Sequence, residues 1–273
     1  MKKKWMFLLL FLIGVGIMLY PLASNVLALF TQSRVISSYQ STVSSMSMDE
    51  IQSEREQAVT YNSQLSGETD EVVEGISYLD LLNVGEVMGY IEIPSIEVYL
   101  PIYHGTSDAV LQKGIGHMEK TSLPVGGSST HAVLTGHTGL PKAKLLTDLT
   151  KVAVGDQFYI HSLDEVLAYE VDQIKVVLPE ETDDLAIEAG QDYVTLVTCT
   201  PYGINTHRLL VRGTRVPYVE TESETTEVSE VVPTVTETEE LISTKSQMNN
   251  GLIFMGLGVV LVGLVVIVIR RRG

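Results

Sequence analysis

The sequence predicts an all-β domain with short helices, closed as a barrel or stacked as a sandwich, and preceded by a helical N-terminal arm. Three observations predict it. From Tyr78 onward helical periodicity fades and short β-type runs take over: GYIEIPSIEVYLPIYHG, THAVLTGH, DQFYIHSL, EVLAYEVDQIKVVLP, DYVTLVTC and HRLLVRGTRVPY. Turn-forming residues separate them, at Pro94, Gly126-Gly127, Gly155-Asp156 and Asp164, the last between two runs that read as a hairpin. Before them lies a polar stretch whose apolar positions suit amphipathic helices.

Taken in order, residues 1–30 open with Lys2, Lys3 and Lys4 and continue as WMFLLLFLIGVGIMLY and PLASNVLALF. An apolar run of about 18 residues or more reads as a membrane span. The alternative is a cleaved signal segment, with VLA at 26–28 as a tolerable cleavage site. Residues 31–77 form the arm. Val43, Met46, Ile51 and Val59 are spaced for one or two helices; Val59, Tyr61 and Leu65 are expected to rest on the core, and residues 66–75 to be flexible. Residues 78–218 make the β domain, long enough to close one hydrophobic core. Residues 219–250 are rich in Glu and Thr with few large apolar side chains, and read as a disordered stalk. Residues 251–269, GLIFMGLGVVLVGLVVIVI, carry no charge and read as a second span, followed by a basic tail at 270–273.

Both apolar segments carry their basic cluster on the terminal side, which puts both termini in the cytoplasm and the middle of the chain outside. The 273 residues have a formal net charge of -16, and nothing in the middle forms a basic stripe, so a nucleic-acid partner is not expected. The chain has one cysteine, Cys199, hence no internal disulfide. A lone thiol outside the cell is intermolecular, reactive or a buried bystander. With one cysteine, and with His131 and His137 off metal-site spacing, no zinc site is expected and no metal or other cofactor is called for. Glu180, Glu181, Asp183 and Asp184 read as a solvent-facing acidic loop, and Arg212 and Arg215 as solvated.

The thiol sits in TLVTCTPYGINTHR, residues 195–208. If YVTLVTC is a strand, Tyr193, Thr195, Val197 and Cys199 share one face, and Thr198 lies on the other in a packing or backbone-supporting role. Pro201 ends the ladder, so Cys199 falls at a strand end. In HRLLVRG, Arg208, Leu210 and Arg212 alternate with Leu209 and Val211, and a loop of about seven residues would set Arg208 beside Cys199. A nucleophilic cysteine gains from a cationic neighbour and needs an acid for the leaving amine. His137, in LTGHTGLP, follows a strand and Gly136 and is placed to project into a site. His104, His117, His131, His161 and His207 read as structural or surface residues, and Cys199 itself could be an inert core thiol.

TLVTC, the arginine nine residues later and the upstream LTGH together resemble the motifs of sortases, the cysteine transpeptidases of Gram-positive surfaces. The similarity extends over most of residues 79–218, including MGYIEIPSI and GIGHMEKTSLPVGGSSTHAVLTGHTGLPKAKLLTDL. It implies a closed sortase-type β-barrel of about eight strands, with Cys199 as nucleophile, His137 as general acid and then base, and Arg208 on the oxyanion. His117, Thr198 and Thr200 are supporting candidates, with a structural role favoured for His117. The N-terminal arm and second apolar segment resemble class C, pilus-assembling sortases. That implies cleavage of an LPxTG-type sorting signal between Thr and Gly and transfer to a pilin lysine, at the cell membrane with the catalytic domain outside.

The alternatives are attachment of surface proteins to cell-wall precursor, and a stalked adhesin, to which LISTK at 241–245 before an apolar span gives a faint likeness. One departure stands out. No proline occurs between Pro21 and Pro94, so the Asp-Pro-aromatic lid motif of most pilus sortases is absent, and residues 66–75 are expected not to plug the site in the usual way.

Overall fold

The order of strands around the domain follows from which apolar faces must be buried together. In this computed structural model, which describes residues 2–69, 77–140 and 143–219, eight strands close a barrel in the order β1-β2-β3-β4-β7-β8-β6-β5. They are β1 Gly89–Ile93, β2 Val98–His104, β3 Ile115–His117, β4 Thr130–Thr135, β5 Gln157–Ser162, β6 Glu165–Val177, β7 Asp192–Thr200 and β8 His207–Val216. Among the described residues three α-helices accompany them: α1 Lys2–Ser45, α2 Met48–Ser66 and the single turn α3 Asp108–Leu111. The all-β barrel with a helical arm agrees with the sequence expectation, and β5 and β6 form the hairpin at Asp164. The stalk, the second apolar segment and the basic tail lie outside the described residues.

Two neighbouring pairs, β2/β3 and β4/β7, are parallel and need crossover connections. The β4-to-β7 crossover is long enough to contain β5 and β6. It is the step that brings two sequence-distant motifs together. The barrel interior is filled by alternate residues of each strand, among them Ile91, Ile93, Ile102, Leu134, Phe158, Val194, Leu196 and Val211. On the outer face of β4, β7 and β8 a second small cluster forms from Val133, Val197 and Leu210, with Met118, Val177 and Leu185 packed on it.

The arm is more ordered than its polarity suggests. α1 carries Gln32, Ile36, Tyr39 and Val43 at a spacing of four, three and four, which is one helical stripe, and all four are buried. Gln32 donates to the Lys113 carbonyl at 3.1 Å, and the Tyr39 hydroxyl accepts from the Leu163 backbone N–H at 2.6 Å. α2 starts at a capping box, Ser47 Oγ receiving the Glu50 N–H and Glu50 receiving the Ser47 N–H. It stops at Gly67, whose φ of 74° fits a left-handed cap.

The face of α2 differs from the sequence expectation. Val59 is exposed, and the buried stripe is Ile51, Ala58 and Asn62. Asn62 wins because its amide makes two backbone bonds to Leu123, N–H to Oδ1 at 2.6 Å and Nδ2 to O at 3.0 Å. Tyr61 packs partly against the core as expected. Arg55 at the middle of α2 pairs with Asp164 and Glu165 on the β5–β6 hairpin.

Removing the phenol oxygen with Tyr39→Phe leaves the buried Leu163 N–H unpaired. It should destabilise the fold by about 1–3 kcal/mol, read as a lower denaturant midpoint at an unchanged slope.

Candidate functional site

The outer face of β4, β7 and β8 is laid out in transverse rows fixed by strand register. β7 and β8 pair antiparallel with Cys199 opposite Arg208, Val197 opposite Leu210 and Thr195 opposite Arg212. β4 and β7 pair in parallel with His131 opposite Tyr193, Val133 opposite Thr195 and Thr135 opposite Val197. The Gly136 N–H continues that ladder to the Val197 carbonyl at 3.0 Å, so His137 follows at the level of Cys199. His137, Cys199 and Arg208 thus come from three adjacent strands into one row.

Each member of the row is held by local contacts. Gly136 sits tightly: a Cβ there would come within 2.8 Å of Ile115 Cδ1 and 2.9 Å of Leu146 Cγ. Its carbonyl accepts the Thr198 hydroxyl at 2.7 Å. Thr198 is buried, on the face opposite Cys199, and from there it fixes the backbone that precedes His137. The His137 carbonyl accepts from Leu146 N–H at 3.2 Å, and its Nε2 lies 3.7 Å from Asp108 Oδ1 on α3. Cys199 is a free, half-buried thiol. Arg208 Nη1 donates to the His207 and Asn205 carbonyls at 3.1 and 3.3 Å, and among the described residues no carboxylate pairs with it. Thr200 closes β7 opposite His207, just before the cis Thr200-Pro201 bond.

His117 is not part of this row. It lies two strands from β7, fully enclosed, with Nε2 donating to the Ser122 carbonyl at 2.8 Å and Nδ1 accepting the Tyr78 hydroxyl at 2.8 Å. Burial lowers its pKa from 6.5 to about 4, against the raising effect of the Ser122 carbonyl.

Sequence reasoning missed a polar cluster lower on the same face. His131 Nδ1 donates to the Ala186 carbonyl at 2.8 Å, so its Nε2 accepts from Thr195 Oγ1 at 2.7 Å. Burial holds its pKa below the usual value, which keeps the ring neutral. Arg212, expected to be solvated, is only 15% exposed at its side chain. It forks onto Asp172 at 3.1 and 2.8 Å, lies 4.2 Å over the Tyr193 ring and 3.6 Å from Glu188. The signal was the parity of Tyr193, Thr195 and Arg212; the partner Asp172 sits at the irregularity in the β6–β8 register, where alternation no longer predicts sides. Arg215, also expected to be solvated, lies 3.6 Å from Asp192 with its side chain about one-third exposed.

A cleft of about 520 Å³ opens beside His131, between the end of α2 (Leu65, Ser66, Glu68) and the β6–β7 connection (Leu185, Ala186). Cys199 does not line it; from His131 to His137 the strand direction advances about 20 Å. Among the described residues no group of acidic, histidine or cysteine side chains is arranged to hold a metal. Of residues 66–75, expected not to plug the site in the usual way, 70–75 lie outside the described residues, and Ser66 and Glu68 line the cleft beside His131.

Comparison with known proteins gives one consistent result. A family model for the sortase domain matches residues 91–216. Sortase A of Streptococcus agalactiae serotype III is 32% identical over 118 residues, 42% of this chain and 47% of that protein. For three of the curated sortases that it matches, the chain spans 47%, 61% and 65% of their length. Among solved structures, sortase C1 of GBS Pilus Island 1 superposes with TM-score 0.66 at 48% identity, covering 71% of this chain and 96% of that one. Sortase C of Streptococcus pneumoniae superposes with TM-score 0.63 at 48% identity, covering 68% and 97%.

Two outcomes follow from this geometry. Thr198→Val should leave the Gly136 carbonyl unpaired, costing about 1–3 kcal/mol of stability, and should lower turnover about tenfold or more by freeing His137, while Thr198→Ser restores both. Because the unfolded chain protonates His117 near 6.5 and the folded one only near 4, stability is full above pH 6.5 and falls as pH drops toward 4. The loss is about 3 kcal/mol, and a His117→Gln variant should show a flatter melting temperature profile between pH 4 and 6.5.

Proposed function

Because the chain belongs to the sortase family, whose members are cysteine transpeptidases, we propose that it is a membrane-anchored pilus-assembling enzyme. It cleaves an LPxTG-type sorting signal between Thr and Gly and joins the acyl product to a pilin lysine. The observation that carries the acyl-transfer part of this reading is the alignment of His137, Cys199 and Arg208 in one row across the ends of β4, β7 and β8.

The chemistry follows from the roles that the row can play. The Cys199 sulphur attacks the threonine carbonyl carbon, and the carbonyl electrons move onto oxygen. Arg208 donates to that oxyanion; one oriented donor of this kind is worth about 3 kcal/mol of barrier. The oxyanion collapses, the carbon–nitrogen bond breaks, and His137 gives its proton to the departing glycine amine. The threonine is left as a thioester on Cys199. The lysine amine then attacks the thioester, His137 takes back a proton, and the sulphur leaves. One amide is exchanged for another, with no oxidant, metal or nucleotide consumed.

Anchoring rests on α1. Among the described residues it is the one helix long and apolar enough to cross a membrane. With both basic clusters inside, the catalytic domain stands outside the cell, held at the same surface as its substrates. The pilin reading is supported by the likeness to sortases C, one of them named for a pilus island and another for pilin substrate specificity. The second reading, attachment of surface proteins to cell-wall precursor, is favoured by the sequence matches to sortases A. It uses the same row and differs only in the amine acceptor. A binding module would have no use for a histidine and an arginine set on either side of a free thiol.

Mixing the full chain with candidate pilins should produce a covalent ladder that Cys199→Ala abolishes. Transfer to glycine peptides without a ladder would favour wall attachment, and a ladder from Cys199→Ala would sink both. Arg208→Lys keeps the charge but loses the guanidinium fork, and should lower kcat/KM about a hundredfold.

A further inference from the structure

The path of α1 along the barrel fixes which end of the domain meets the membrane. After Lys2, Lys3 and Lys4 the next charge is Arg34, and the first 20 residues of that uncharged run are 5–24. At 1.5 Å per residue these 20 residues rise about 30 Å, the thickness of a hydrocarbon core. The next residue, Asn25, already touches the barrel: its Oδ1 accepts the Lys144 backbone N–H at 3.1 Å. Two residues on, Leu146 N–H is bonded to the His137 carbonyl. Ala28 packs against the core. Lower down, Tyr39 meets Leu163, in the turn before β6, whose far end at Val177 pairs with Arg208. From Asn25 to Tyr39 the helix advances about 21 Å. Over that length it passes from the His137 end of the barrel to the opposite end.

The loop that crowns the catalytic end suits a lipid neighbour. Residues 201–206, PYGINT, contain no charge, and Tyr202 and Ile204 are 69% and 68% exposed. Tyr202 leans on the backbone of Gly139, where a Cβ would come within 2.9 Å of its ring, so the loop is braced against the segment that follows His137. An exposed tyrosine beside an exposed isoleucine, with no charge between them, fits the bilayer interface, where an aromatic ring with one polar tip is favoured.

We infer that the catalytic end of the barrel rests on the outer surface of the bilayer, with the Tyr202–Ile204 tip in the lipid interface and Cys199 in the headgroup layer. The inference rests on α1 being an uncleaved span. This end carries both signs of charge, Asp108 near His137 and the cations Lys144 and Arg208, so the proposed lipid contact is made by the uncharged loop rather than by one charge sign.

Cys199 is the only cysteine, so a thiol fluorophore reports its depth directly. The full chain is reconstituted in phosphatidylcholine vesicles containing lipid with a headgroup-borne spin-label quencher. Quenching at Cys199 is compared with quenching in Cys199→Ala/Asp164→Cys, which places the label at the opposite end. The expected result is several-fold stronger quenching at 199 than at 164, at low and high salt alike. Equal quenching, or stronger quenching at 164, overturns the orientation. Tyr202→Ser/Ile204→Ser should lower quenching at 199 at least twofold, and unchanged quenching removes the loop from the contact. Retention in the pellet after an alkaline carbonate wash reads the anchor separately; loss of the chain there overturns the premise and this inference with it. A chain that is quenched at 199 but forms no ladder with any pilin leaves the orientation standing and rejects the proposed reaction.

Discussion

The parallel pairing of β4 with β7 is the constraint on which the rest of the site depends. β7 and β8 are joined by a short loop, so Cys199 and Arg208 become neighbours through local sequence alone. His137 is 62 residues away from Cys199 in sequence and reaches the row only if β4 docks in one register. A slip of one residue would turn His137 to the barrel interior, because side chains alternate with a period of two. The register is held from below by Thr198, whose hydroxyl reaches the Gly136 carbonyl, and by Gly136 itself, which fits beneath Ile115 and Leu146 only because it has no side chain.

The surroundings keep that row rigid and leave its polar groups available. Outside the row the buried polar groups on β4, β7 and β8, and His117 on the neighbouring β3, are matched. His131 is bonded at both nitrogens, Arg212 is bound to Asp172 and stacked on Tyr193, and His117 is bonded between Tyr78 and Ser122. Such matching is what a low-dielectric interior demands. Arg208 is the contrast: its described partners are two backbone carbonyls, which orient the guanidinium without neutralising it. The arm adds rigidity from outside, since α1 and α2 contact both ends of the barrel through Asn25, Tyr39, Arg55 and Asn62.

Much of this was legible in the sequence, for identifiable reasons. The strand runs, the β5–β6 hairpin at Asp164, and the parity that sets Cys199 and Arg208 on one face are local patterns of period two, and the structure follows them. Position at a strand end after Gly136 singled out His137 as a site candidate, and the resemblance supplied its place beside Cys199, since no local rule predicts a parallel crossover partner. The misreadings are non-local as well. Val59 is the more apolar side chain, but Asn62 is buried because its amide matches the Leu123 backbone, a partner invisible in the helix's own sequence. Arg212 looked solvated because Asp172 lies on a different strand, at a register irregularity.

The central claim is that one row performs acyl transfer through a thioester on Cys199. The most direct measurement is intact-mass and peptide-mapping spectrometry of the full chain after exposure to a sorting-signal substrate without an amine acceptor. The account predicts an adduct with the mass of the fragment ending at threonine, on the peptide that holds Cys199. Cleavage of the substrate with no adduct, or an adduct that maps to another residue, would contradict it.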